Sequence, residues 1–137
     1  MLLTPLLAFL FTAGLVSANC KKAKQEDMPY YSWHATIASG ANCTGYSRPF
    51  GGTYLESGKD KDCSPCQWLS GMPIDRHVGS FEFTAFDNVP TTYIQFHADK
   101  TCTHPIKDAF YPHSQLVQHA PKAAHGARSF EACNKKI

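Results

Sequence analysis

The side chains of this 137-residue chain with the clearest chemical potential are its six cysteines and seven histidines. Cys63-Ser64-Pro65-Cys66 has the spacing of a dithiol redox motif, in which one thiolate attacks a disulfide and the second resolves the mixed intermediate. A thioredoxin-like site needs a buried strand before the motif and a helix after it. Here Asp60-Lys61-Asp62 precedes it and no helical period follows, so the motif reads as the origin of two separate structural bridges. Neutral imidazole is a common ligand for zinc and copper, and His97 and His104, with Asp99 between them, are the best local histidine cluster. They do not form a close ligand pair on one defined element, so no metal or other cofactor is expected. No serine stands in a nucleophile signature, and nothing selects a glycosidase-type carboxylate pair. A non-enzymatic role is expected. The alternative is a secreted thiol-disulfide or metal-dependent enzyme using Cys63 and Cys66 or a histidine cluster.

Residues 1-18 form an apolar run without a charged side chain that ends in Val16-Ser17-Ala18. This reads as a signal peptide cut after Ala18, too short to be a comfortable membrane span. All six cysteines, Cys20, Cys43, Cys63, Cys66, Cys102 and Cys133, follow that cut. An even number in a short exported chain predicts three disulfides formed in an oxidising, extracellular setting. The pairing stays open, although Cys63 and Cys66 are badly placed to bond each other. Each bridge is worth about 2 to 4 kcal/mol, a large share of the stability of a chain this small. Asn42-Cys43-Thr44 is an N-glycosylation sequon, with Asn42 the acceptor, and belongs on an exposed loop. A net charge of +2 with 18% charged residues provides no electrostatic drive toward nucleic acid or an anionic membrane.

The elements that must position these residues are strands, because apolar residues come in short alternating runs separated by Gly, Pro, Asn and Asp. Thr92, Ile94 and Phe96 alternate with Tyr93, Gln95 and His97. Phe81 and Phe83 alternate with Glu82 and Thr84, which places the glutamate on a polar, solvated face. These two runs read as a hairpin or as neighbouring strands. Trp33, Ala35 and Ile37 share one face of a third strand, 51–61 reads as a polar glycine-containing loop, and 114–119 has room for one helical turn before Pro121. Among the aromatics, Tyr54, Trp68 and Tyr111 fall in loops and are candidates for a binding surface, since exposed aromatic rings give contact area at low entropic cost.

An internal repeat organises the chain. Residues 36–45 align without gaps on 95–104, matching Cys43 to Cys102 and Thr44 to Thr103, and Gly79-Ser80-Phe81-Glu82 is echoed by Arg128-Ser129-Phe130-Glu131. Each half reads as strand, turn, cysteine, variable loop and a closing Ser-Phe-Glu strand. In these residues the chain resembles the βγ-crystallin superfamily, and more closely its small secreted cysteine-rich members of fungal-effector, killer-toxin-like or inhibitor-like type. Residues 37–45 and 96–104 correspond to the two openings, and Ser80 and Ser129 to the two closing serines. Cys43 and Cys102 stand where the family usually has an aromatic before Gly, and His104 replaces the second Gly.

The resemblance implies an all-β, disulfide-stabilised Greek-key β-sandwich of two repeats, with a generic disulfide-stapled sandwich as the alternative. Residues 19-32 would be an N-terminal segment and 33-134 a single domain, with repeats at about 33-86 and 91-134. Many microbial relatives hold calcium through two acidic or amide residues shortly before the closing serine. Here Asp75 keeps only the first, and the second half keeps none, so calcium is not expected. The function implied is a monomeric, secreted interaction protein of effector, toxin or inhibitor type, whose partner is an extracellular or host protein or glycan.

Overall fold

The computed structural model describes Cys20, Lys24, Met28 and residues 32–53, 62–85, 92–112 and 115–134. The stretch expected as a signal peptide at 1–18, Tyr54 and most of the expected N-terminal segment lie outside the described residues. Among the described residues nine strands carry the fold. They are β1 (Ser32–Ala38), β2 (Ser47–Thr53), β3 (Asp62–Cys63), β4 (Gln67–Trp68), β5 (Ser80–Ala85), β6 (Thr92–His97), β7 (Pro105–Pro112), β8 (Gln115–Val117) and β9 (Ser129–Asn134). A single turn of helix, α1, spans Lys122–His125.

Two antiparallel sheets result. The first has the order β2-β1-β5-β8, and the second has β3-β9-β6-β7 with β4 also pairing β9. Each opening strand, β1 or β6, therefore pairs on one side with the strand that follows it and on the other with the closing strand of its own half. One edge of each sheet comes from the other half: β8 in the first, β3 and β4 in the second. This exchange makes the chain a Greek-key β-sandwich of two interlocked halves.

The alternation that identifies the strands also builds the core. Trp33, Ala35 and Ile37 from β1 and Phe81 and Phe83 from β5 meet Ile94 and Phe96 from β6 and Phe130 from β9, all essentially inaccessible to water. Rings cross the interface edge to face, with Phe81 to Phe96 at 5.1 Å and Trp33 to Phe130 at 5.8 Å between centroids. Such pairs add to the burial of their area.

Several local expectations change. The runs at 81–86 and 92–97 are not a hairpin. β5 pairs with β1 and β8, and β6 lies in the other sheet with β7 and β9. Sequence neighbours at the junction of two Greek keys face each other across the sandwich instead of sharing a ladder. Gly51 and Gly52 belong to β2 and not to a loop. The stretch expected as a helical turn is β8, in which Gln115, Leu116 and Val117 pair with Phe83, Glu82 and Phe81. The helical turn follows Pro121, which precedes α1 and limits nothing inside it.

Candidate functional site

The two turns after β1 and β6 are built alike, and the closing serines hold them. Ser80 Oγ accepts from the Cys43 amide at 2.8 Å and donates to the Gly40 carbonyl at 2.6 Å. In the second half Ser129 Oγ accepts from the Cys102 amide at 3.2 Å and donates to the Asp99 carbonyl at 2.5 Å. Cys43 and Cys102 both adopt positive φ, 61° and 58°, a conformation non-glycine residues take rarely. The pairing continues in the backbone, since the Gly79 amide donates to Ala38 O and the Arg128 amide to His97 O, both at 2.9 Å. Gly79 has no room for a side chain, because a Cβ there would lie 2.4 Å from Ser39 O.

The disulfides pair Cys20 with Cys43, Cys63 with Cys133, and Cys66 with Cys102. Cys63 and Cys66 thus go to separate partners. Ser64 between them is buried; its amide donates to Ala132 O at 2.7 Å and its hydroxyl accepts from the Ala132 amide at 3.0 Å. The motif is a clamp that fastens β3 and β4 onto β9. It carries the far repeat's contribution to the second sheet.

The histidine and acid residues are less solvated than their alternation implies. Glu82 is wholly buried despite facing away from the core, and its carboxylate bonds His34 Nδ1 and accepts from Thr84 Oγ1 at 2.8 Å. The hydrogen bond to Glu82 raises the pKa of His34 above its ordinary value, against the opposing effect of burial. His97 is 3% exposed, and its Nε2 lies 3.2 Å from Glu131 Oε1. The solvated face expected for Glu82 is corrected by this geometry, whereas Glu131 is partly exposed. Asp75 and Glu82 face different neighbours, as do Asp99 and Glu131.

His104 does not join His97. Its ring is exposed, 3.6 Å from Asp99 Oδ2. Asp99 organises the second turn by accepting from Thr103 Oγ1, from Thr101 Oγ1 at 2.9 Å, and from the amides of Thr103 and His104 at 3.0 Å. Those bonds, led by the Thr103 hydroxyl, push its carboxyl far below the usual carboxylate range. Asp75 is forked by Arg128, with Nε to Oδ1 at 3.1 Å and Nη2 to Oδ2 at 3.2 Å. The guanidinium occupies both oxygens, a donor set that does not fit a hard cation.

Of the aromatics expected at a surface, Trp68 is 61% exposed. Tyr111 is partly buried rather than displayed: its ring packs on Phe81 at 5.1 Å, its hydroxyl is buried, and burial raises its pKa. Strand parity explains the correction, because Tyr111 pairs with core-facing Ile94 while its neighbour Phe110 turns outward, 41% exposed. Asn42 is exposed on the first turn with φ 53°. Among the described residues no helix is long and apolar enough to cross a membrane.

No protein-family model matches the chain, and no curated protein does. Among solved structures it is similar to the N-terminal domain of protein S, at 7% identity and a TM-score of 0.44, over 76% of this chain and 99% of that one.

Proposed function

We propose that this chain is a secreted, non-enzymatic interaction protein of effector, toxin or inhibitor type, which presents loops and one exposed indole to an extracellular or host protein or glycan. The observation that carries the reading is Trp68. An indole 61% exposed is held on β4, two residues after Cys66, and both residues are fixed to the sandwich, one by the ladder to β9 and one by a disulfide. The backbone that carries the ring is already fixed, so binding there would not have to order it. Three disulfides in a chain of this length suit an oxidising, extracellular setting.

The experiment is affinity capture from extracellular or host extracts and on immobilised glycans, comparing the oxidised protein with Trp68→Ala. A partner retained by the parent and lost by the variant supports the reading. Equal retention by both, or no retention by either, removes Trp68 as its basis.

A further inference from the structure

Of the seven histidines, His113 lies outside the described residues and the others divide into two groups. His34, His97 and His104 each lie against a carboxylate, that of Glu82, Glu131 or Asp99. His77, His119 and His125 are exposed and have no acidic partner among the described residues.

The backbone gathers these three at one corner of the sandwich. The segment before β5 runs beside the segment before β9, with the Arg76 amide donating to Ala127 O at 2.9 Å and the Val78 amide to His125 O at 3.4 Å. His77 stands between those two bonds. The Ala120 amide donates to Gly79 O at 2.8 Å, and His125 Nε2 donates to Ala120 O at 2.8 Å, which brings the His125 ring beside His119. Arg76 and Lys122, both exposed, add fixed positive charge. Neither 76–80 nor 115–130 contains an acid, and the Asp75 carboxylate is taken up by Arg128. The strand packed on α1, β7, brings Lys107 and Asp108, one charge of each sign. A cationic surplus remains at this corner.

The same backbone leads to the exposed indole. Trp68 pairs with Ser129, the Leu69 amide donates to Arg128 O at 3.1 Å, and Arg76 follows on Ala127. Indole and basic corner therefore succeed each other along 125–129.

We propose, resting on the reading of the chain as an extracellular interaction protein, that this corner binds the anionic groups of an acidic glycan, carboxylated or sulfated, and holds them more tightly as the surroundings become acidic. An exposed indole offers apolar area to the C–H face of a sugar ring, and cations beside it complement the charge that the sugar carries. Histidine is the side chain that changes charge between about pH 5 and 8. Protonation of His77, His119 and His125 adds three positive charges to those of Arg76 and Lys122. A net charge of +2 over the whole chain gives no broad field for a phosphate backbone or an anionic bilayer. A local cluster beside an indole fits a short stretch of charged sugar.

Immobilised heparin, a sulfated and carboxylated glycan, is the probe, with dextran as the uncharged control. The oxidised parent should bind heparin about tenfold more tightly at about pH 5.5 than at about pH 7.5, with no such gain on dextran. Arg76→Gln with Lys122→Gln should weaken heparin binding at both pH values. His77→Gln with His119→Gln should remove most of the pH dependence, and adding His125→Gln the remainder; all five side chains are exposed, and circular dichroism checks that each variant is folded. Equal binding at the two pH values, or a pH dependence that survives the three histidine changes, overturns the proposal. So does duplex DNA or a phosphatidylserine vesicle bound as tightly as heparin at the same salt. Trp68→Ala separates this surface from the broader reading: heparin binding lost in Trp68→Ala but intact in Arg76→Gln with Lys122→Gln keeps the interaction role and refutes the basic corner.

Discussion

Ser80 holds Cys43 in place: its hydroxyl is the acceptor for the Cys43 amide at 2.8 Å, and the serine itself is wholly buried. The turn that places Cys43 at positive φ, and so aims it at Cys20, depends on that bond. Ser80→Ala leaves a buried N–H without an acceptor and should cost about 1 to 3 kcal/mol in a denaturant titration. Ser129→Ala should cost less, because its bond to the Cys102 amide is longer and only partly buried. A change no larger than that of an ordinary surface substitution, within about 0.5 kcal/mol for Ser80→Ala, would show that the serines do not hold the turns.

The His34–Glu82 pair makes stability depend on pH in one direction. Hydrogen bonding to Glu82 raises the His34 pKa in the folded chain above 6.5. The folded state therefore binds the proton more tightly than the unfolded chain. The resulting stabilisation is complete below the unfolded value of about 6.5 and is lost as pH rises through the raised folded value. The thermal midpoint should fall across that window in the parent, and His34→Gln should remove this component. Proton-dependent chemical shifts of the His34 ring give the folded value directly. A value at or below 6.5 would contradict the prediction.

The strands were legible because one face of each is apolar at period two, as Trp33, Ala35 and Ile37 show. Their partners were not legible, because β5 and β6 are adjacent in sequence yet lie in different sheets, and periodicity holds no information about the ladder. The repeat supplied part of that information through Cys43 and Cys102, whose turns are equivalent in the structure down to the serine bonds. Glu82 illustrates what alternation leaves out. Its parity correctly turns it away from the core, but parity says nothing of whether that face meets water, and Glu82 does not. His97 and Glu131 lie far apart in sequence and meet only through the β6–β9 register, so spacing singled out His97 with His104 instead. Tyr111 was misplaced for a simpler reason: a one-residue difference in parity separates it from exposed Phe110.

Arg128 and Asp75 form a two-pronged bond across 53 residues, joining the turn before β5 to the residue before β9. Hydrogen bonding to the Asp75 carboxylate raises the Arg128 pKa, which holds the guanidinium in its charged form. Both side chains are about one-fifth exposed, so solvent screening keeps the contribution of the pair small. Arg128→Lys cannot reproduce the planar fork and should lose most of that contribution, nearly as much as Arg128→Met. With both Asp75 oxygens engaged, added calcium should leave the thermal midpoint of the parent unchanged. A calcium-dependent rise would mean that the ion displaces the guanidinium.

The three bridges should differ in weight according to the loops they close. Cys63–Cys133 spans 70 residues, Cys66–Cys102 spans 36 and Cys20–Cys43 spans 23. In the chain-entropy account these lengths correspond to about 4.4, 3.8 and 3.4 kcal/mol. Cys63–Cys133 also fastens the short β3 to β9, a two-residue ladder that nothing else of comparable strength secures among the described residues. Replacing both cysteines of each bridge by alanine, and measuring unfolding free energy, should rank the losses in that order. Cys63→Ala with Cys133→Ala should be the most damaging. If the Cys20–Cys43 pair proved the costliest to remove, the first turn rather than β3 would be the point at which the sandwich depends most on covalent closure.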